Sequence, residues 1–549
     1  MNKSNGKIIN FKDISKFKHP WAIKNDFLIF KKAEKDYQKY LFFLTKKLNN
    51  HFNKNFSVKF WEIILGEFII GIIHIFYERL LFINKYKKKY KFQISSNTIN
   101  IKTYEEFRLY SENIHEYIHN YILKHYKNKN FILSKQKKTS EELNSIDINK
   151  KNYKESIYKL FYGFRNSISG STKNHYVIAP STGLNRDNSF LKKFNIFYID
   201  NKNKSTIDYL LRKKLSKCNQ KKYDQKFINL IFKLMPISYL ENFDYNYSQI
   251  LKKYSSTKYL ISKYLNDQVR FLSAYLIEKK RKIIRLQHGG NYWIYKYNFF
   301  TNFEVRNCTY YLPWGKYHNK NKKCIIFGYS NDLLISDKNF NIKKNKSKCL
   351  IFLDRGKQFH RAWNSGFFKN LDMKNNLNIN LSPLLKKINN KDFKKNIVLR
   401  MHKSNEDFKK HIKENYSNYE ISDYDKNLKR ILDNSKITVH TYFSTSFVDT
   451  IISNIPSILI TKIDTNVYNK FSKKILISLM KNHIVFESPT LLYKFIEKNW
   501  KNIDKWWHHK NTQLVRKDFL MNYCFENKNL NAHLSNLIKK TNLERRKSF

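Results

Sequence analysis

Five cysteines in 549 residues (Cys218, Cys308, Cys324, Cys349 and Cys524) lie far apart, with no CxxC pair and no Cys/His metal pattern. That excludes a zinc-finger type of site and a disulfide scaffold, and points to a reducing compartment. The N-terminal stretch MNKSNGKIINFKDISKF lacks the apolar core of a signal peptide. The most apolar segment, Phe60 to Ile83, is broken by Glu62, Glu67, Glu78 and Arg79. Its charge-free core is shorter than the ~17–25 residues that span a bilayer. We therefore expect a cytoplasmic protein, with room for a peripheral position at the inner membrane. The chain also lacks GxGxxG, GxxxxGK[ST] and internal repeats.

What is abundant is lysine and aromatic residues. Lys and Arg number 105 against 44 acids, a formal charge of +61, and there are 43 Phe and 38 Tyr. Such aromatic content gives real cores and excludes a disordered polycation. The charge invites a nucleic-acid reading, because cations neutralise phosphates. Yet lysine is spread over nearly the whole chain together with Asn, Ile, Tyr and Phe, and no RNP-like strand or basic heptad region accompanies it. No specific nucleic-acid partner is expected; contact with anionic lipid or nucleotide phosphates fits better.

Along the chain, apolar spacing predicts helices over Tyr37–Leu48, Phe60–Leu81 and Tyr104–Leu123. Lys127 to Asn152 reads as a polar loop, and Tyr176 to Ala179 as a strand feeding Pro180-Ser181-Thr182-Gly183. Phe227–Leu240 and Tyr259–Lys280 read as helices, the second running into the strand Lys282 to Leu286. Short strands follow at Tyr310–Gly315 and Lys323–Gly328. A basic connection, Asn341 to Lys348, places a boundary there. Strands are then expected at Cys349–Leu353, Ile397–Met401, Ile437–His440, Ser457–Ile460 and His483–Phe486, with helix from Thr490 to about Cys524. The implied division is 1–340 (N-terminal helical plus α/β, acceptor side), 341–500 (C-terminal α/β, nucleotide-donor side) and 501–549 (C-terminal helix and tail).

Three strand ends carry candidate chemistry. RLQHGGNYW (Arg285–Trp293) sets His288 where a strand gives way to Gly289 and Gly290, which let a substrate or another backbone approach. A satisfied loop histidine in a tight turn is the plain alternative. NIVLRMH ends in Arg400 and His402, a guanidinium that can hold a phosphate and an imidazole that can shuttle a proton; Arg400 can equally pair with a nearby carboxylate. Ile437–His440 leads to Ser444-Thr445-Ser446 and a helix containing Asp449. Hydroxyls at a helix start make an anion site, though Ser444 or Ser446 can simply cap the helix. Arg400 and the Ser444–Ser446 loop are expected on neighbouring strands, forming one phosphate site. Asp449 can accept from a sugar or ribose diol. No metal and no cofactor are called for.

The segments LNNHF…FWEIILG (Leu48–Gly66), RLQHGGNYW, LRMH, HTYFSTSFVDTIISNIPSI (His440–Ile458) and IDKWWHHKNTQLVRKDF (Ile503–Phe519) occur in this order over most of the chain. In them the chain resembles transferases encoded in surface-carbohydrate loci of spirochaetes and some marine bacteria. That family is distantly similar to capsule-polysaccharide and CDP-glycerol glycerophosphotransferase enzymes. The resemblance implies an α/β fold of two facing Rossmann-like domains (GT-B-like), with a helical N-terminal region and a C-terminal helix crossing back. It implies a proposed base at His288 beside Gly289, a second-domain Arg-x-His at Arg400 and His402, and a donor site at Ser444, Thr445, Ser446 and Asp449. His402 is followed by Lys403 where the relatives usually carry proline, and Asp449 stands where glutamate is expected. The function so implied is glycosyl transfer from a nucleotide-activated sugar donor to a glycan or lipid-linked acceptor, in surface polysaccharide or glycolipid assembly. Glycerophosphotransfer or nucleotide-sugar epimerisation on the same fold is the alternative, and a basic nucleic-acid-binding or scaffold protein the competing class.

Overall fold

The computed structural model describes residues 26–94, 99–109, 111–126, 206–263, 265–296, 298–318, 321–329, 346–353, 394–401, 406–423, 428–461, 468–527 and 529–547, with the short pieces 8–11, 14, 131–133, 175–179, 182, 194–199, 385 and 463. The chain forms two compact units. The first comprises Met1–Ile284 with Asn307–Thr309, and the second Arg285–Arg306 with Tyr310–Phe549.

Helix Val58–Tyr86 is the centre of the first unit, and its sequence says why: it is apolar on every side, as a helix buried all round must be. Ser57 starts it by accepting a hydrogen bond from the Phe60 amide. The preceding helix, Asp26–Phe52, lays Tyr37, Leu41, Leu44 and Leu48 inward at helical spacing. Asn49 closes the turn between the two, donating to Phe56 O at 2.8 Å and accepting from Trp61 Nε1 at 2.8 Å. Val58–Tyr86 is long and apolar enough to cross a membrane, but 94% of its most apolar window is buried inside the protein. Its charges are matched there: Glu67 with Arg270 at 2.5 Å, Glu78 with Arg79, and Glu62 with Lys59 at 2.7 Å and the Tyr37 hydroxyl at 3.1 Å. Helices Tyr104–Leu109 and Ser111–His125 complete the expected helical region. A small parallel sheet was not expected: β1 (Ile8–Ile9), β2 (Lys91–Ile94) and β3 (Phe131–Leu133) pair in that order. Strands of two to four residues are too short to show periodicity, and β3 falls in the stretch read as a polar loop.

A five-stranded sheet follows, built from β4 (Tyr176–Ile178), β5 (Asn195–Ile196), β6 (Tyr259–Ser262), β7 (Lys282–Leu286) and β8 (Tyr310–Leu312) in the order β5-β4-β6-β7-β8. Numbered within the sheet this is 2-1-3-4-5, the flavodoxin-like order. The line between the two units falls inside β7. One expectation is corrected here: Tyr259–Lys280 is not a single helix. Its first four residues are β6, and the helix is only Asp267–Glu278, started by Asn266, whose side chain accepts from the Val269 amide. A fully apolar strand followed closely by a helix presents one continuous apolar run, and the cap is what divides it. Lys323–Gly328 likewise forms no strand; Cys324 makes an isolated bridge to Tyr311.

The second unit contains a six-stranded parallel sheet: β9 (Lys348–Phe352), β10 (Ile397–Arg400), β11 (Glu420–Ser422), β12 (Ser435–His440), β13 (Ser457–Ile460) and β14 (Val485–Phe486). Their order, β11-β10-β9-β12-β13-β14, is 3-2-1-4-5-6, the Rossmann order. Cys349 and Ile351 of β9, with Leu353 just beyond it, enter one core and Leu350 and Phe352 the other, so both faces are apolar, as a covered parallel sheet requires.

The C-terminal segment explains why the unit boundary lies at residue 285 and not at the basic connection 341–348. Helix Lys510–Tyr523 packs Phe519 on Phe443 and Phe447. Beyond it the chain returns to the stretch after β8, where Phe525 N donates to Trp314 O at 3.1 Å and Tyr329 N to Phe525 O at 2.9 Å. These bonds tie residues 314–329 to the sheet that follows them in sequence.

Candidate functional site

The carboxyl end of β7 carries the loop Gln287-His288-Gly289-Gly290. Gln287, buried, braces it by donating to Gly289 O at 2.9 Å and accepting from the Trp314 amide at 3.1 Å. His288 is 29% exposed, and its ring stands edge-on to Tyr292 and Phe300, with centroids at 5.0 and 5.5 Å. The Tyr292 hydroxyl lies 2.7 Å from Nδ1 and 3.2 Å from Nε2. Behind them is Glu304, on helix Phe299–Arg306, fully buried. Its Oε1 is 3.3 Å from His288 Nδ1 and accepts from Tyr292 at 3.1 Å; its Oε2 accepts from Tyr311 at 3.2 Å. This cluster escaped the sequence reading. The signal was there: Glu304 is the only acid between Glu278 and Asp332, a lone carboxylate in a basic stretch.

Gly290 meets the other end of the site. Its amide donates to Thr445 Oγ1 at 3.2 Å. A Cβ at this position would lie 2.8 Å from Val448 Cγ2 and 3.0 Å from both Ser444 O and Thr445 Cα. Only a glycine lets the loop rest against the start of helix Thr445–Ile452, so the structure brings Gly290, two residues after His288, to the hydroxyl cluster. Ser444 caps that helix, its hydroxyl accepting from Phe447 N at 3.2 Å, as the plain alternative held. Thr445 and Ser446 are half-buried at the helix start, where backbone amides lack intrahelical acceptors. Asp449, one turn on, is buried and accepts from the Tyr329 hydroxyl at 2.6 Å.

Arg400 lies on a strand that does not neighbour theirs. The strand order puts β9 between β10 and β12, so two strand spacings of about 4.8 Å each separate the two strand ends. The guanidinium turns instead to β11, donating to Ser422 Oγ at 2.9 Å and to the Asp423 carbonyl. The expectation that Arg400 and Ser444–Ser446 lie on neighbouring strands is therefore corrected. His402 lies outside the described residues, as do Ser181 and Gly183.

His440, at the end of β12, is wholly buried and stacked on Phe352 at 4.4 Å, with Nε2 near the Thr438 and Thr450 hydroxyls. Burial pushes its pKa down to about 3, so it is a neutral core group and not a proton carrier at neutral pH. Arg285, three residues before His288, is fully buried, and none of its guanidinium nitrogens makes a hydrogen bond. Among the described residues no group of three or more His, Cys, Asp or Glu could hold a metal ion.

No curated protein matches the chain. Among solved structures it is similar to the wall teichoic acid polymerase TagF (16% identity, 55% of this chain and 85% of that one, TM-score 0.33). It is also similar to UDP-GlcNAc 2-epimerase from Neisseria meningitidis (12%, 55% and 81%, TM-score 0.35) and to MurG of Acinetobacter baumannii (10%, 55% and 78%, TM-score 0.32). Likeness at that level is too distant to add to the strand orders above. The sequence comparison is more direct: the model of the LIC12162 family transferase matches residues 6–538, and the chain belongs to that family.

Proposed function

We propose that this transferase moves a glycosyl group from a nucleotide-activated sugar to a hydroxyl of a glycan or lipid-linked acceptor, in the assembly of a surface polysaccharide or glycolipid. The observation that carries the reading is the placement of His288: an imidazole of partial exposure at a strand's carboxyl end, in a loop seated on the start of helix Thr445–Ile452. In the proposed step His288 takes the proton of the acceptor hydroxyl as its oxygen bonds to the anomeric carbon. The bond from that carbon to the leaving phosphate breaks, and the nucleotide departs with the electron pair. The amides and hydroxyls of Thr445 and Ser446 meet the charge that develops on the leaving group, helped by the helix dipole. Ser444 acts as the cap that holds this helix start, and Asp449 anchors it through Tyr329. Gly289 and Gly290 leave the space in which donor and base meet.

Arg400 is assigned an outlying part of the donor, since its guanidinium sits at the β10–β11 edge. Five free cysteines fit a reducing, cytoplasmic location, and the charge of +61 fits a peripheral hold on anionic lipid. A thermal-shift screen of nucleoside diphosphates and their sugar conjugates tests the donor class. A nucleotide sugar should raise the unfolding temperature by mass action, to a degree that Ser446→Ala reduces. Stabilisation by no nucleotide, or by CDP-glycerol alone, would overturn glycosyl transfer.

A further inference from the structure

We infer that helix Tyr209–Ser216 is the membrane-contacting element of the protein, laying Tyr209 and Leu210 into the headgroup layer of an anionic bilayer while Lys213, Lys214 and Lys217 meet its phosphates. The inference rests on the peripheral hold on anionic lipid proposed above, and names the surface that provides it.

Lysine is spread over nearly the whole chain, so lysines alone single out no surface. The apolar pair does. Exposed apolar side chains scattered singly are ordinary. Leu210, at 81%, and Tyr209, at 67%, are the two most exposed large hydrophobic side chains among the described residues, and they are neighbours in sequence. The Tyr209 hydroxyl donates to Asn100 Oδ1 at 3.5 Å, and the ring stays outside.

Helical spacing gathers the rest. At about 3.6 residues per turn, Tyr209, Lys213, Lys217, Leu210 and Lys214 fall in that order on one arc of about 140°, and all five are exposed. Arg212, Leu215 and Ser216 point the other way and are buried. The outer face of the helix thus holds two apolar side chains, three cations and no carboxylate. The acids beside it are engaged in holding it. Asp208 starts the helix by accepting from the Leu211 amide at 2.8 Å, and Glu241 accepts from Arg212 Nε at 2.7 Å and Nη2 at 2.8 Å. Arg212 Nη1 also donates to Phe232 O at 2.9 Å and Lys233 O at 3.2 Å, at the end of helix Gln225–Leu234. The face is therefore presented already ordered, and docking it costs little further entropy.

A bilayer surface fits this face better than another macromolecule does. The amphipathic tyrosine ring suits the headgroup layer, leucine gains by leaving water, and lysine stems reach past both to the phosphates. A stable protein interface needs about 1,200 Å² or more of buried surface with an apolar centre, of which two side chains supply little. A nucleic-acid strand can stack on Tyr209, but Leu210, the more exposed of the two, offers nothing to a base or a phosphate.

The test is co-sedimentation of the full-length protein with vesicles of phosphatidylglycerol and phosphatidylcholine in equal parts, and with phosphatidylcholine alone. It is run at physiological salt and at about 0.5 M NaCl, where charges are screened within a few ångströms. Wild type should bind the mixed vesicles and keep part of that binding at high salt. Tyr209→Ser with Leu210→Ser should weaken partitioning roughly tenfold or more at both salts, since the loss is of apolar burial. Replacing Lys213, Lys214 and Lys217 by glutamine should weaken it about fivefold per lysine at physiological salt and hardly at all at high salt. Leu514→Ser with Met521→Ser, a second exposed apolar pair, should bind as wild type does. Wild-type partitioning of the Tyr209/Leu210 variant would overturn the inference while leaving the peripheral reading intact, whereas no vesicle binding by wild type would overturn both. Loss of polyuridylate binding by that variant with vesicle binding unchanged would give the face to nucleic acid and likewise overturn it.

Discussion

The amide of Gly290 donates to the hydroxyl of Thr445 at 3.2 Å, joining two motifs 155 residues apart. Because a Cβ at Gly290 would press on Val448 Cγ2 and on the backbone of Ser444 and Thr445, Gly290→Ala should force the loop off the helix. Such overpacking costs about 1–3 kcal/mol. Calorimetry should record a lower unfolding temperature, and Val448→Ala in the same chain should restore part of it, since the nearest clash is with that side chain.

Arg516 closes the other end of the same helix. Its Nε donates to Ile451 O at 2.8 Å and its NH2 to Ile452 O at 3.0 Å, a cation at the negative end of the helix dipole. Burial lowers its pKa to about 10, still well above neutral, so it stays charged. Arg516→Met should cost about 1.5–3 kcal/mol by denaturant titration, and Arg516→Lys should recover little, because one ammonium cannot span two carbonyls as the fork does.

The buried histidines set an acid limit. His440 and His74 both have pKa values pushed down by burial to about 3, against about 6.5 in an unfolded chain. Above pH 6.5 neither state binds the proton and their neutrality costs nothing. As pH falls from about 6.5 towards 3 the unfolded chain gains protons that the folded one refuses, so stability is lost, by at most about 1.4 kcal/mol per pH unit for each group. Unfolding free energy measured between pH 7 and 4.5 should therefore fall with acid. His440→Leu should make that slope shallower, whatever it does to stability at pH 7; an unchanged slope would show that His440 is accessible to protons.

Arg285 gives a prediction of the opposite sign. A buried guanidinium with no hydrogen bond is a net cost, and an apolar side chain of similar length removes it. Arg285→Met should raise the unfolding temperature of the unliganded protein by roughly 1–3 °C. A fall instead would mean that the charge is compensated in solution.

Much of this was legible in the sequence because parallel strands and helix caps leave local marks. The apolar runs at Lys282–Leu286, Ile437–His440 and Ser457–Ile460 are strands β7, β12 and β13, and the glycines after His288 do mark a close approach. What failed was non-local. Arg400 and Ser444 both stand at the carboxyl ends of strands that the sequence suggests are neighbours, whereas the order of a sheet is fixed by crossovers, and β9 comes between. Glu304 is not legible as a site residue because its partners are Tyr292 and Tyr311, two phenols that no spacing rule associates with it. The pairing of residues 314–329 with the chain after Tyr523 is likewise a contact across some 200 residues, as between Phe327 and Asn527.

The central claim is that His288 takes the acceptor's proton, and single-turnover transfer with the stabilising nucleotide sugar tests it most directly. His288→Ala should transfer the sugar ~10²–10⁴-fold more slowly than wild type, with donor Kd by calorimetry nearly unchanged. Wild-type turnover in His288→Ala, or a loss confined to donor binding, would contradict the account and leave the histidine a brace for its loop.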